Sequence, residues 1–403
     1  MPAKKKTPAK KTKKQTKESF FLTGFQKIAV IALGFLIAVA AGAGLYLRAS
    51  INRKTEEDVQ AAKNLHAEGE FREALSLLES VIERRPAVYE KTSVKYIMAE
   101  ALNESSEEER AVRIWEEIAS GHPDKEYYPA SLFQLALRDK NEGDLSSAAE
   151  AFKRITEEFT GSNILPRAHF ELAECYKNTR RWAPAAAHYE KVIASFPGSE
   201  ASARAKDALG ELNIYLIHSP AVTEHDIAYQ VRPGDTLEAI ARRHNTTIEL
   251  IMKANDLSSP IIPVGKRLKL TPSRFEVFVD ADNNILVLEL NGRFFKQYTV
   301  GTGEYGKTPI GEFKITNKMT NPVWYAEDGV YPFGHPKNIL GTRWLGLDIP
   351  GYGLHGTTKP ESVGKHETAG CIRMLNEEVE ELFDLVIPGT PVTITGTALP
   401  DAW

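Results

Sequence analysis

Ala74, Ala111, Ala148 and Ala185 recur at an interval of 37 residues. So do Leu78, Trp115, Phe152 and Tyr189, and Val81, Ile118, Ile155 and Val192. Upstream in each unit stand Ala62, Ala99, Ala136 and Ala173. Pro86, Pro123 and Pro197 keep the same register, with Thr160 in the vacant place. A small residue on one helix facing a large one on the next lets paired helices approach and lock, and proline after the second helix stops it. Residues 55–217 are therefore expected to form a stack of helix pairs. A fifth unit starts at Leu209-Gly210 and ends after one helix, as a capping helix does.

The order of small, aromatic and proline positions resembles the tetratricopeptide repeat, with a period of 37 rather than 34 and hence different loops. Such an all-α solenoid serves either to bind a protein partner or as a rigid spacer. Nothing in these residues names the partner.

Ile28 to Leu47 is a run of 20 residues without a charge. At 1.5 Å per residue it spans about 30 Å, the thickness of a bilayer's hydrocarbon core. Residues 1–17 hold eight lysines and no acid; without them 42 basic residues face 54 acidic ones, a net of −12. Lysines ahead of the run predict a basic cytoplasmic tail (1–27), a single transmembrane anchor (28–47) and an exported remainder, placing the later domains in the periplasm or cell wall space. The alternative is a cleaved signal peptide with Ala41-Gly42-Ala43 as its small-residue site, and it exports the same remainder. The anchor accounts for the lysines, so no nucleic-acid partner is expected. Two cysteines make no disulfide framework, and Cys175 reads as a small buried hydrophobe within the repeats.

Between residues 226 and 272 the pattern changes. Tyr229 to Val231 predicts a strand, Pro233-Gly234 a turn, and Asp235 or Thr236 an N-cap for a helix carrying Leu237, Ile240 and Ala241. Thr247 is placed to cap a second helix with Leu250, Ile251 and Ala254, and Arg267 to Leu270 returns as strand. This β-α-α-β order closely resembles a LysM module. The resemblance implies binding of N-acetylglucosamine-containing glycan, chiefly peptidoglycan or chitin, with Gly234, Asp235 and Thr236 forming part of the groove.

Residues 274–397 read as mainly strand: Phe275 to Val279, Ile285 to Leu290, then Asn291-Gly292 as a hairpin turn into Phe294 to Val300. Helical periodicity appears only at Glu377 to Val386. Gly301 to Thr308, "GTGEYGKT", matches the phosphate-loop string G-x4-G-K-[ST]. A phosphate loop needs a helix beginning at its lysine. Here Pro309 follows at once and "IGEFKIT" alternates like a strand, so nucleotide binding is not expected.

Cys371 is the better chemical lead. A thiol is mostly protonated near neutrality, and an imidazole that takes its proton makes it a strong nucleophile. His355 lies 16 residues earlier, so any contact between them must come from the fold. Around the pair stand "VGTGEYGKTPIGEF", "NPVW", "NILGTRWLGL", "YGLHGTTKPESVG", "AGCIRM" and "PGTPVTI", in that order. Together they resemble the L,D-transpeptidase catalytic domain of the YkuD family. The resemblance implies Cys371 as nucleophile, His355 as general base and the Gly356 carbonyl as the group orienting that histidine. It also implies backbone N–H groups of Gly370 and Cys371 as the oxyanion hole, and Arg373 near the substrate's carboxylates. The family usually reads Ser-His-Gly-Cys where this chain has Thr368-Ala369-Gly370-Cys371, and His366 is not at the position to replace the missing histidine. His355, His366 and Cys371 show no close ligand spacing, and no metal or organic cofactor is expected.

The expected molecule is multidomain: membrane anchor, helical solenoid, LysM module and mainly-β catalytic domain. The expected reaction is peptidoglycan L,D-transpeptidation, with D-Ala released from a tetrapeptide stem through a thioester and the acyl group passed to an amine as a 3→3 cross-link or protein attachment. A non-catalytic peptidoglycan tether is the alternative, and Ala369 is its support.

Overall fold

The computed structural model describes residues 24–121, 126–223, 225–272 and 274–397. The basic residues 1–23 and Pro123 lie outside the described residues. The chain divides into two compact units, Met1–His122 and Pro123–Trp403.

The first unit holds α1 (Gly24–Ala67), α2 (Phe71–Arg84), α3 (Thr92–Glu104) and α4 (Glu108–Ser120). Residues 27–67 include a stretch long and apolar enough to cross a membrane, none of it buried in the protein. No break separates this stretch from the first repeat. The helix runs on without interruption until Val59 and Ala62 become buried. Polar residues 52–58 keep helical geometry because residues with ordinary helix propensity follow the apolar run, with neither proline nor glycine to end it.

The second unit begins with α5 (Tyr127–Asn141), α6 (Leu145–Glu158), α7 (Leu165–Asn178), α8 (Trp182–Ser195) and the single helix α9 (Glu200–His218). Throughout both units the periodic positions form the core. All eight repeated alanines are fully buried, and Phe152, Ile155, Tyr189 and Val192 are as well. Each large side chain so buried contributes about 1.5–3 kcal/mol. α2 ends before Pro86 and α8 before Pro197, as the register requires.

The small position of the fifth unit is Gly210. A Cβ there would lie 2.9 Å from Lys296 Cγ. That contact brings α9 onto the catalytic sheet. Asn213 Nδ2 donates to Phe295 O at 2.8 Å, and Lys296 Nζ meets Glu211 and Glu381, each at 2.9 Å.

The LysM region is a two-stranded antiparallel sheet, β1 (Ile227–Gln230) with β2 (Arg267–Leu270), and two helices, α10 (Leu237–Arg243) and α11 (Ile248–Ala254). Thr236 Oγ1 caps α10 and Thr247 Oγ1 caps α11. It packs onto its neighbours: Leu250 enters the catalytic core, Thr247 Oγ1 donates to Asp384 O, and Lys253 Nζ lies 2.5 Å from Asp384.

The catalytic region contains β3 (Phe275–Asp280), β4 (Ile285–Leu290), β5 (Arg293–Thr299), β6 (Thr302–Gly303), β7 (Gly311–Thr320), β8 (Trp324–Ala326), β9 (Gly329–Tyr331), β10 (Arg343–Leu347), β11 (Gly353–His355), β12 (His366–Thr368), β13 (Ile372–Arg373), α12 (Asn376–Leu385) and β14 (Pro391–Thr395). Eight strands form one sheet in the order β13-β11-β10-β7-β14-β3-β4-β5. Leu288 and Tyr298 from one end share a core with Leu354 and Ile372 from the other, so the sheet curls around it, with Val379, Leu382 and Phe383 of α12 inside. Asn291 and Gly292 both have positive φ, at 55° and 77°, the geometry of a two-residue hairpin turn. Solenoid, LysM region and catalytic sheet thus form one packed body within the second unit. A cavity of about 580 Å³ in its seam, lined by Trp182, Leu216 and Phe294, lies at the β5 end of the strand order, away from Cys371.

Candidate active site

The nucleophile and base candidates come from adjacent strands. β11 pairs in parallel with β13, matching Leu354 to Ile372 and His355 to Arg373. Leu354 and Ile372 point into the core. Strand alternation therefore puts His355 and Arg373 on the other face, and Cys371, one residue before β13, begins on that side.

The turn into Cys371 depends on close backbone contacts. Gly370 has φ 126°, and a Cβ there would meet Tyr352 Cε1 at 2.6 Å and Lys307 O at 2.7 Å. The Gly301–Thr308 string is thus packing for the nucleophile's turn. It forms β6 and a 3-10 turn ahead of strand β7, with no helix after its lysine. Thr368 Oγ1 closes the turn from within, accepting from Gly370 N at 3.1 Å and donating to Cys371 O at 2.6 Å. This alters the oxyanion expectation. The Gly370 N–H is already engaged, whereas the Cys371 N–H has no partner among the described residues.

Cys371 is partly exposed, and its Sγ lies 3.5 Å from Gly351 O. No hydrogen bond joins it to the His355 ring in this structure. Burial pushes its pKa above the ordinary value of 9.0, against a backbone hydrogen bond from Gly353 and the charge of Arg373.

His355 is almost wholly buried, and Nδ1 lies 2.6 Å from Gly356 O. A carbonyl only accepts, so Nδ1 carries the proton and Nε2 keeps its lone pair. The ring stacks on Trp344, its cross-strand neighbour, with centroids 6.0 Å apart. Burial lowers the pKa to about 4, opposed by the Gly356 carbonyl, furthered by the Arg373 charge and opposed by Leu340.

Arg373 is 8% exposed. Nη1 donates to Ser362 Oγ at 2.8 Å, while Nε is buried without a partner. No carboxylate pairs with it among the described residues. His366 lies apart from this cluster, between Thr302 Oγ1 at 2.7 Å and Asn284 Nδ2 at 3.2 Å.

In the LysM loop, Gly234 is exposed with φ 85°. The Asp235 carboxylate accepts from Tyr229 OH at 2.6 Å and Arg232 N at 2.8 Å, and Thr236 caps α10. Both side chains hold the loop's shape. What the loop offers outward is its backbone.

Residues that the sequence did not single out include Thr368, Ser362 and Asn376. Ser362 meets Arg373, and Asn376 meets Thr357 and Thr342, across segments distant in the chain, whereas Thr368 bonds Gly370 and Cys371 within its own turn; no local periodicity marks any of them.

Three family models match: L,D-transpeptidase catalytic domain over residues 274–394, LysM domain over 229–271 and tetratricopeptide repeat over 133–200. The putative L,D-transpeptidase YkuD of Bacillus licheniformis is 36% identical over 177 residues, covering 42% of this chain and 99% of that protein. The putative L,D-transpeptidase YqjB of Bacillus subtilis is 42% identical over 143 residues, covering 34% and 79%. The catalytic domain of the E. faecium L,D-transpeptidase, solved by NMR, is 25% identical, covering 30% of this chain and 96% of that one, with a TM-score of 0.26, too low to bear on the fold. With the Bacillus licheniformis relative matched over almost its whole length at 36% identity, this chain belongs to the L,D-transpeptidase family of enzymes.

Proposed function

We propose that the protein is a peptidoglycan L,D-transpeptidase in which Cys371 carries the acyl group. The observation that carries this reading is the shared strand face: a partly exposed thiol on the same side of adjacent strands as a buried histidine whose tautomer is fixed by Gly356 O.

With His355 low and Cys371 high in pKa, both are neutral in the resting enzyme near pH 7. The proton therefore moves during attack rather than before it. His355 Nε2 takes the thiol proton as Sγ attacks the carbonyl of the third stem residue, meso-diaminopimelate in the expected substrate. The oxyanion is held by the Cys371 N–H, joined by the Gly370 N–H if that turn releases Thr368. The C–N bond to D-Ala breaks, and its nitrogen takes the proton back from His355. An acceptor amine then gives a proton to His355 and attacks the thioester; the C–S bond breaks and Cys371 Sγ leaves as the thiol, taking that proton from His355. A second third-position side chain as acceptor yields a 3→3 cross-link, and a wall protein's amine yields protein attachment.

Arg373, buried with spare donors, is suited to a substrate carboxylate. The Gly234-Asp235-Thr236 loop would contact the glycan of the same polymer, and α1 would anchor the chain with its remainder in the cell wall space. The solenoid would take a protein partner.

The test is incubation of the full chain with disaccharide-tetrapeptide fragments, following free D-Ala. Release that Cys371→Ala abolishes supports the reading. Glycan binding without release from folded wild-type protein would instead favour the tether.

A further inference from the structure

We infer that Asn376 is a positioning residue of the active site, holding the peptide plane that orients His355. This rests on the reading of His355 as the base.

Asn376 is the first residue of α12. Its Oδ1 accepts from Thr357 N at 3.0 Å and from Thr342 N at 3.2 Å, and its Nδ2 donates to Thr357 O at 2.9 Å. The Thr357 N–H and the Gly356 C=O belong to one peptide unit. That unit is planar, with the two groups pointing in opposite directions. Fixing the N–H on Asn376 therefore fixes the carbonyl that meets His355 Nδ1 at 2.6 Å. The amide sits on one side of the plane and the imidazole on the other.

The surroundings leave this arrangement little slack. A Cβ at Gly356 would lie 2.2 Å from Asn376 Oδ1, and one at Gly341 also 2.2 Å. Both positions are glycine because the amide fills the space. Asn376 is itself held by a helix whose Val379, Leu382 and Phe383 are in the core. A rotated Gly356 plane would let the neutral ring shift its proton to Nε2, the atom that must accept from Cys371.

The experiment compares wild type, Asn376→Ala and Asn376→Asp in the full chain, each checked for cooperative unfolding. D-Ala release from tetrapeptide fragments gives kcat and KM, and 15N-histidine NMR reads the His355 tautomer. Expected for Asn376→Ala is a fall in kcat of about tenfold or more, KM within about twofold, and loss of the single Nδ1–H signature. Asn376→Asp keeps the acceptor for Thr357 N–H but turns a carboxylate oxygen toward Thr357 O. Its kcat is expected to fall by about threefold or more, less than for alanine. A folded Asn376→Ala enzyme with wild-type kcat and tautomer overturns the inference. If the alanine variant does not fold, Asn376→Asp with wild-type kcat overturns it. Cys371→Ala and His355→Gln run alongside. If either retains D-Ala release, the catalytic reading fails whatever Asn376 does.

Discussion

Lys269 Nζ and Asp226 Oδ2 lie 3.3 Å apart with side chains 3% and 1% exposed, at the joint between the solenoid's last helix and the LysM sheet. The ammonium also donates to the carbonyls of Leu216, Ser219 and Ala221, at 2.7, 2.9 and 2.7 Å. One side chain of β2 thus ties down the C-terminal end of α9. The glycan-binding region is held at a set position relative to the catalytic sheet rather than swinging on a linker.

Lys269→Met leaves Asp226 charged, buried and without its cation. Breaking one side of such a pair costs about 3–5 kcal/mol. Thermal unfolding should fall accordingly, and protease cleavage between residues 219 and 226 should appear before the rest of the second unit is cut. Unchanged stability and protection would mean the joint is carried by other contacts.

The buried His355 gives a pH dependence with a definite sign. Its pKa is about 4 when folded against 6.5 ordinarily, so the unfolded chain binds the extra proton between those values. Stability linked to the neutral ring is full above about pH 6.5 and is lost as pH falls through about 4, by about 3 kcal/mol. His169 and His218 are also lowered to about 4 by burial and act in the same sense. His188 is lowered by burial as well, so His355→Gln should make the fall in stability between pH 6.5 and 4 shallower without abolishing it, measured by urea unfolding across that range. An identical slope contradicts the burial argument.

Arg373 has two separable effects. As a carboxylate site its loss should raise KM for tetrapeptide fragments, by about tenfold for Arg373→Met. As a nearby positive charge it lowers the pKa of His355, so its loss should move the acid limb of the rate profile to higher pH. Arg373→Lys should restore the limb more than the KM, because lysine keeps the charge and loses the planar fork. A KM unaffected by either change would make Arg373 a structural cation.

Thr368 closes the nucleophile's turn with two hydrogen bonds. Thr368→Val keeps the shape and strands the Gly370 N–H. A cost of about 1–3 kcal/mol in stability is expected, with a fall in D-Ala release that Thr368→Ser does not share. Equal activity in the valine and serine variants would show that the turn holds without the hydroxyl.

What was legible in the sequence was local or periodic. The alanines at intervals of 37 are buried because helix pairing repeats at that interval, and the caps at Thr236 and Thr247 act over three residues. Asn291-Gly292 turns where a two-residue hairpin requires positive φ. Cys371 and His355 were found through a resemblance spread over many motifs, since a spacing of 16 carries no geometry by itself. Beyond reach were contacts that only the fold creates. Asn376 stands just ahead of the helical pattern that begins at Glu377 and carries no signal of its own, yet its amide holds Thr357. The Gly370 N–H looked free, yet Thr368 occupies it. Asp235 looked like part of an open groove, yet its carboxylate serves Tyr229 and Arg232.

The most direct test of the account is the mass of the intact protein during a single turnover without an acceptor amine. Full-length enzyme is mixed with disaccharide-tetrapeptide, quenched in acid to preserve a thioester, and digested to locate the adduct. The account expects a gain equal to the fragment less D-Ala, on the peptide containing Cys371, absent from Cys371→Ala and lost on treatment with hydroxylamine. D-Ala release from folded enzyme with the acyl group on another residue, or undiminished in Cys371→Ala, would contradict it.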